Sequence, residues 1–238
     1  YKHYLKGDFK MYEYDVVIVG GGVSGAVAGI ASAKAGARTI IVEKMGFLGG
    51  ALTASGVGPM MTFHAGKNQV VRGIPEEIIE NLKKPGGPPG HIVDTTGYTY
   101  TVTPFDAELL KHVLERMYTN AGGDILFHSM LSSVVKKNGD IDYIKVTTKS
   151  DELNFKGKAY IDATGDGDFA AKSGVDFQLG RPKDNLCQPL TTNFKVRNVN
   201  IKEVKKYILS HPEEFPSQNI ELIDKAPRFS CAGYVKDL

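Results

Sequence analysis

The sequence predicts an α/β chain built on a parallel central sheet, with the start of a second, mixed α+β domain. Three observations carry this. Val16–Val19 is a short, continuous apolar run of β-branched residues, the composition of a strand buried on both faces. Gly20, Gly22 and Gly25 follow at once with the G-x-G-x-x-G spacing, in which the glycines allow a tight turn, close backbone approach to a pyrophosphate and close helix–strand packing. Thr39–Val42 is a second apolar strand that ends on Glu43, about 20 residues past the glycines, where an acid can bond the ribose of an adenosine.

Between these strands Val23, Ala26, Val27, Ile30 and Ala31 recur at helical spacing, and Gly36 supplies a C′ stop. Strand, glycine turn, helix, second strand and acid together form a βαβ unit that reads as Rossmann-like, with a site for an adenine dinucleotide. The bland alternative is a βαβ unit whose glycines serve packing alone. Against it stands Gly21, which has no evident packing role and costs backbone entropy.

Lys44–Met61 is rich in glycine, and within it Gly49-Gly50-Ala51-Leu52-Thr53 can bring amides and a hydroxyl to a phosphate or ring. A flexible surface loop is the competing reading. A short helix opens at Gly73-Ile74-Pro75-Glu76-Glu77, where proline suits the first turn and the acids its positive end. The run Pro85–Gly90 must be loop. Tyr98–Thr103 alternates as a strand. Phe105–Asn120 reads as a helix with Leu109, Leu110, Val113, Leu114 and Met117 buried. Asp124–Lys136 holds one or two strands, and Asn138-Gly139 is a hairpin turn before Ile141–Thr148. Glu152–Phe155 adds a short strand, and Ala159–Ala163 runs into Thr164-Gly165-Asp166-Gly167-Asp168, a strand-to-glycine turn of the kind that places ligands in open α/β sheets. Asp166 is expected to cap the helix Gly167–Ser173. Beyond Gly174 the texture changes, with a strand expected over Gln188–Val196 and an amphipathic helix over Ile201–Ser210. The expected organisation is an extension over residues 1–14, a first domain over 15–177 with an inserted region at 49–103, and a second domain beginning at 178.

The 238 residues suffice for a sizeable core. A formal net charge of +2 without blocks of like charge argues against nucleic-acid or membrane-surface partners. No apolar run reaches the length of a membrane span. Cys187 and Cys231 have no near neighbour in sequence, so no iron–sulfur or other metal spacing exists. That usage fits a reducing cytoplasm, and Cys187 reads as a small core residue.

Taken together, the three glycine-bearing motifs resemble FAD-dependent oxidoreductases of the glutathione-reductase-type FAD fold, in the family related to the flavin subunit of heterodisulfide reductase. The carrying residues are Asp15–Gly25 with Glu43, then Gly49–Thr53, then Ile161–Asp168. The resemblance implies FAD as cofactor. It implies that Gly20, Gly22, Val23, Ser24 and Gly25 cradle the pyrophosphate, and that Glu43 bonds the adenosine ribose with Lys44 beside it. Gly49, Gly50 and Thr53 would line the pyrophosphate and ribityl side, a strand residue near Leu131 would meet the adenine, and Ala163, Thr164 and Gly165 would close over the cofactor. It further implies hydride or electron transfer between a small-molecule substrate and an electron donor or acceptor, with substrate held by a second domain. Relatives of this kind are longer and carry a late Gly-Asp motif absent before Leu238, so the chain reads as the N-terminal part of a longer enzyme or as a shortened relative.

No residue is singled out as a catalytic base. His64 and Arg72 are candidates for substrate contact, with surface polar groups as the plain alternative. Two other functions fit the residues: a nicotinamide-dependent dehydrogenase, since Glu43 suits an NAD ribose equally, and a cofactor-binding module with no turnover alone.

Overall fold

A computed structural model describes residues 10–83, 87–95, 97–190, 192–194, 196–216 and 219–225. In chain order the elements are β1 (Met11–Val19), α1 (Val23–Lys34), β2 (Thr39–Val42), β3 (His64–Ala65), β4 (Asn68–Gln69), α2 (Ile74–Leu82), β5 (Ile92–Val93), β6 (Thr101–Val102), α3 (Ala107–Asn120), β7 (Asp124–Leu126), β8 (Met130–Lys137), β9 (Asp140–Thr147), β10 (Glu152–Asp162), α4 (Asp168–Lys172), α5 (Ile201–Ser210) and α6 (Ile220–Lys225). They fall into two compact units. The first joins the chain up to Ser55 with Ala107–Thr192, and the second joins Gly56–Asp106 with the chain from Asn193.

The first unit is built on a six-stranded sheet in the order β7-β2-β1-β10-β9-β8. Strands β7, β2, β1 and β10 are parallel, and β10, β9 and β8 form an antiparallel meander. Asn138 and Gly139 both have positive φ, 54° and 91°, so the tight β8–β9 turn forms where the Asn-Gly pair predicts it. Period two splits the apolar residues of the central strands. Val17, Val19, Ile40 and Val42 share one core with Ile144, Val146, Phe155 and Phe169. On α1 the buried residues are Gly25, Ala26, Gly29, Ile30 and Ala33, rather than the expected stripe led by Val23, which is 40% exposed. The small residues are inside because α1 packs tightly: a Cβ on Gly29 would lie 2.8 Å from Ile41 Cδ1 and 2.9 Å from the Tyr118 ring. Tyr118 closes the stripe of α3, fully buried, with its hydroxyl 2.7 Å from Thr39 Oγ1.

Several expectations need correction. β1 starts at Met11, inside the segment expected to be an extension; Tyr12 pairs with Phe155 of β10 and stacks on its ring at 5.3 Å. β10 is one continuous strand of 11 residues rather than two. The strand expected over Tyr98–Thr103 is reduced to Thr101–Val102, because Asp94 accepts the Thr99 N–H at 2.8 Å and ties Tyr98–Tyr100 into the turn. Asp166 does not cap α4. Thr164 Oγ1 accepts the Asp168 N–H at 2.8 Å, and Asp162 accepts that of Ala170 at 2.8 Å. Between Gln188 and Val196 no strand forms among the described residues, and Leu190, Phe194 and Val196 stand exposed. Cys187 is exposed rather than in a core. Residues 1–9, Pro85, Gly86 and Cys231 lie outside the described residues.

The second unit holds two small hairpins, β3–β4 and β5–β6, with α2, α5 and α6. Ile78, Ile79 and Leu82 of α2 are buried, and α5 and α6 meet through Ile208, Phe215 and Ile223. No helix among the described residues is long and apolar enough to cross a membrane.

Candidate functional site

The carboxyl ends of β2, β1 and β10 lie side by side in the sheet, and the glycine motifs meet there. Gly20 leaves β1 with φ +98°, a conformation glycine tolerates, and its N–H donates to Val42 O at 2.8 Å. A Cβ on Gly20 would run into the Ala163 carbonyl, and one on Gly25 would overlap the Gly20 carbonyl. Both glycines are therefore demanded by packing of protein on protein. Gly21 is as well: a Cβ there would lie 2.5 Å from Leu48 Cδ2 and 3.1 Å from Glu43. The sequence argument that Gly21 lacks a packing role is thus corrected.

Gly22 differs. It is the N-cap of α1, with φ −62° and ψ −172°, an extended backbone open to any residue, and the nearest atom to its added Cβ is Gly50 Cα at 4.0 Å. No side chain caps α1, and its first turn carries no acid. The first-turn N–H groups of a helix have no intrahelical acceptor, and with the helix dipole they favour an anion. Val23 and Ser24 bring two of these N–H groups.

The second glycine motif docks on the first. Gly49 N–H donates to Gly21 O at 2.9 Å, and Gly22 and Gly49 form a parallel bridge. A Cβ on Gly50 would lie 2.9 Å from Gly22 Cα, so backbone faces backbone. Thr53 is buried, and its hydroxyl donates to Leu48 O at 2.8 Å, which closes this loop.

Glu43 is 7% exposed at the end of β2. Its Oε2 accepts the Gly21 N–H at 2.6 Å and its Oε1 that of Met45 at 2.7 Å. Each carboxylate oxygen keeps acceptor capacity for a further donor. Lys44 beside it is exposed. Leu131 sits on β8 opposite Val146 and packs against the sheet core. The residue of that segment bonded to Glu43 is Ser129, whose N–H donates to Glu43 O at 3.0 Å.

The third motif closes the row. Ala163 N–H donates to Val19 O at 2.8 Å, which holds the β10 end against the β1 end. Thr164 Oγ1 donates to Asp162 Oδ1 at 2.7 Å, and a Cβ on Gly165 would meet nothing within 4 Å. Burial pushes the Asp162 carboxyl up, but hydrogen bonds from Thr164, Ala170 and Phe169 outweigh it and hold the group below its ordinary value. Asp162 organises this turn through its bonds to Thr164 and Ala170, and it is not among the site residues expected from the sequence. Its signal was a lone acid ending an apolar strand just before a glycine turn, as Glu43 does on β2.

The structure thus gathers Gly20, Gly22, Gly25, Glu43, Gly49, Gly50, Ala163 and Thr164 around the α1 N-terminus. His64 and Arg72 belong to the second unit. Among the described residues no cluster of His, Cys, Asp or Glu is arranged to hold a metal.

The profile of the FAD-dependent oxidoreductase family matches residues 15–235. The chain belongs to this family. Its cofactor is FAD. Among curated relatives, a digeranylgeranylglycerophospholipid reductase of Methanocella arvoryzae is 25% identical over 202 residues, which cover 80% of this chain and 48% of that one. A thiamine thiazole synthase of Methanococcus aeolicus is 27% identical over 177 residues, covering 69% of this chain and 61% of that one. A triple mutant of the flavin-dependent brominase Bmp2 superposes with a TM-score of 0.50 at 22% identity, over 68% of this chain and 41% of that one, a likeness of fold alone. The chain spans a little under half the length of the reductase relatives it matches.

Proposed function

We propose that this chain provides the FAD-holding part of an oxidoreductase that moves hydride or electrons between a small-molecule substrate and an electron donor or acceptor. The observation that carries the reading is the open, uncapped backbone at Gly22, the one position of the turn where a missing Cβ leaves space rather than admits protein. Bound FAD supplies the redox chemistry at its isoalloxazine ring. The protein's residues bind and orient it. The N–H groups of Gly22, Val23 and Ser24 hold the pyrophosphate, and Gly20 and Gly25 keep the turn tight enough to aim them. Glu43 accepts from the adenosine ribose with its remaining lone pairs, with Lys44 beside it. Gly49, Gly50 and Thr53 flank the phosphates, a residue near Leu131 meets the adenine, and Ala163, Thr164 and Gly165 close over the cofactor.

For the 238 residues themselves the proposal is to hold FAD; turnover belongs to the whole protein. The balanced charge supports a small-molecule substrate over nucleic acid or a membrane surface. The isolated cysteines support a cytoplasmic setting.

The test is a visible absorption spectrum of the purified chain after addition of FAD and removal of excess, then of the filtrate after denaturation. The reading expects a retained flavin spectrum and releasable FAD. A chain that retains no flavin at saturating FAD contradicts it.

A further inference from the structure

The chain that leaves β7 crosses the carboxyl end of β2. Glu43 N–H donates to Leu126 O at 2.9 Å where the two strands end side by side. Ser129 N–H then returns to Glu43 O at 3.0 Å, and His128 N–H donates to Met45 O at 3.2 Å. Residues 126–129 therefore lie against the loop 43–46, whose acid also holds the Gly21 turn.

His128 has φ +52°. Histidine is one of the few residues besides glycine that enter this left-handed region with any frequency. Its ring lies on Gly46: a Cβ there would stand 2.8 Å from both Cε1 and Nε2 of the imidazole. Glycine at 46 thus leaves the ring its seat beside the end of β2. The neighbours in the crossing are turned to other tasks. Ser129 is buried, and its hydroxyl donates to Phe127 O at 2.8 Å. Leu126 packs against the sheet core, as does Leu131 beyond the crossing. Of residues 126–129, only His128 is exposed.

The proposed cofactor site follows the same row of strand ends. The pyrophosphate meets the α1 N-terminus beside the end of β1, and the ribose meets Glu43 at the end of β2. The sheet order is β7-β2-β1, so the direction from pyrophosphate to ribose leads on towards β7, one strand spacing of about 4.8 Å away. The base carried by that ribose falls where the chain crosses from β7.

We infer that His128 is the residue that meets the adenine of FAD, with its imidazole packed on the base from its seat on Gly46. The inference rests on the flavin reading and names the side chain for a contact that the reading leaves only near Leu131.

The test is binding of FAD and of ADP, which carries the adenine, ribose and pyrophosphate without the flavin, to the full 238-residue chain and to His128→Asn. Asparagine also tolerates positive φ, so this variant removes the ring and keeps the backbone. A base–aromatic contact of ordinary strength predicts a loss of affinity of about tenfold for both ligands, with a melting temperature close to the parent's in the absence of ligand. In the parent, NMR should show a nuclear Overhauser contact between the His128 ring protons and adenine H2 or H8, which a merely structural histidine would not give. That contact is read on the parent, so it decides the matter even if His128→Asn does not fold. A folded His128→Asn chain that binds ADP as tightly as the parent, or a parent–ADP complex without the contact, overturns the inference and leaves the flavin reading standing. A parent that binds neither FAD nor ADP overturns both.

Discussion

The carboxylate of Glu43 accepts the N–H of Gly21 at 2.6 Å, so the acid at the end of β2 holds the glycine turn at the end of β1. Its other oxygen takes the Met45 N–H, and the pair of bonds fixes where both strands stop. In Glu43→Gln one carboxylate oxygen becomes an amide NH2, which cannot accept, and one of the two N–H groups loses its partner. Denaturant unfolding should show a loss of about 1–3 kcal/mol, and FAD titration should show weaker binding because the turn is no longer fixed. An unchanged unfolding midpoint would mean that these bonds do not set the turn.

Gly25 and Gly22 should respond oppositely to the same methyl group. In Gly25→Ala the new carbon overlaps the Gly20 carbonyl, so α1 must move away from the sheet. A loss of about 1–3 kcal/mol or more is expected from overpacking, read as a large drop in melting temperature. A Gly25→Ala chain that melts with the parent would contradict the packing described for this turn.

Asp162 links pH to stability. Its folded-state carboxyl lies below its ordinary value because Thr164, Ala170 and Phe169 donate to it. A depressed acid contributes stability that is present above its unfolded pKa of about 3.9 and is lost as pH falls through the folded value. Asp162→Ala should cost about 1–3 kcal/mol at neutral pH, and the gap between parent and variant should close in acid. A gap that stays constant from neutral pH into acid would assign the loss to shape rather than charge.

Tyr118 and Thr39 join α3 to β2 through one buried hydroxyl pair. Burial raises the Tyr118 phenol to about 12, so the ring stays neutral and bonded over the ordinary pH range. Tyr118→Phe leaves the Thr39 hydroxyl unpaired and should cost about 1–3 kcal/mol in denaturant unfolding. No measurable loss would mean that Thr39 finds another partner.

Much of the first unit could be read from the sequence because local pattern and tertiary role agree there. Val16–Val19, the glycine turn, α1, β2 and the Asn138-Gly139 hairpin each follow from local chemistry. The failures lie where partners distant in sequence decide. Tyr12-Glu13-Tyr14-Asp15 alternates aromatic and acid, but its apolar members show as strand only once Phe155 of β10 stands beside them. Tyr98–Thr103 alternates as well, and Asp94 claims half of it for a turn. At the site, residue spacing identified all three glycine motifs, whereas the separate duties of Gly20, Gly21, Gly22 and Gly25 needed atoms. The residue near Leu131 enters only through the resemblance, since nothing in the local pattern of β8 marks an adenine contact.

The most direct test of the central claim is Gly22→Val, measured by thermal melting and by FAD titration on one preparation. Its backbone is extended and the nearest protein atom to the added Cβ is 4.0 Å away, so the fold should hold while the space for the pyrophosphate is filled. The account predicts a melting temperature close to the parent's without FAD, and loss of FAD binding. A folded Gly22→Val chain that binds FAD as tightly as the parent would contradict it.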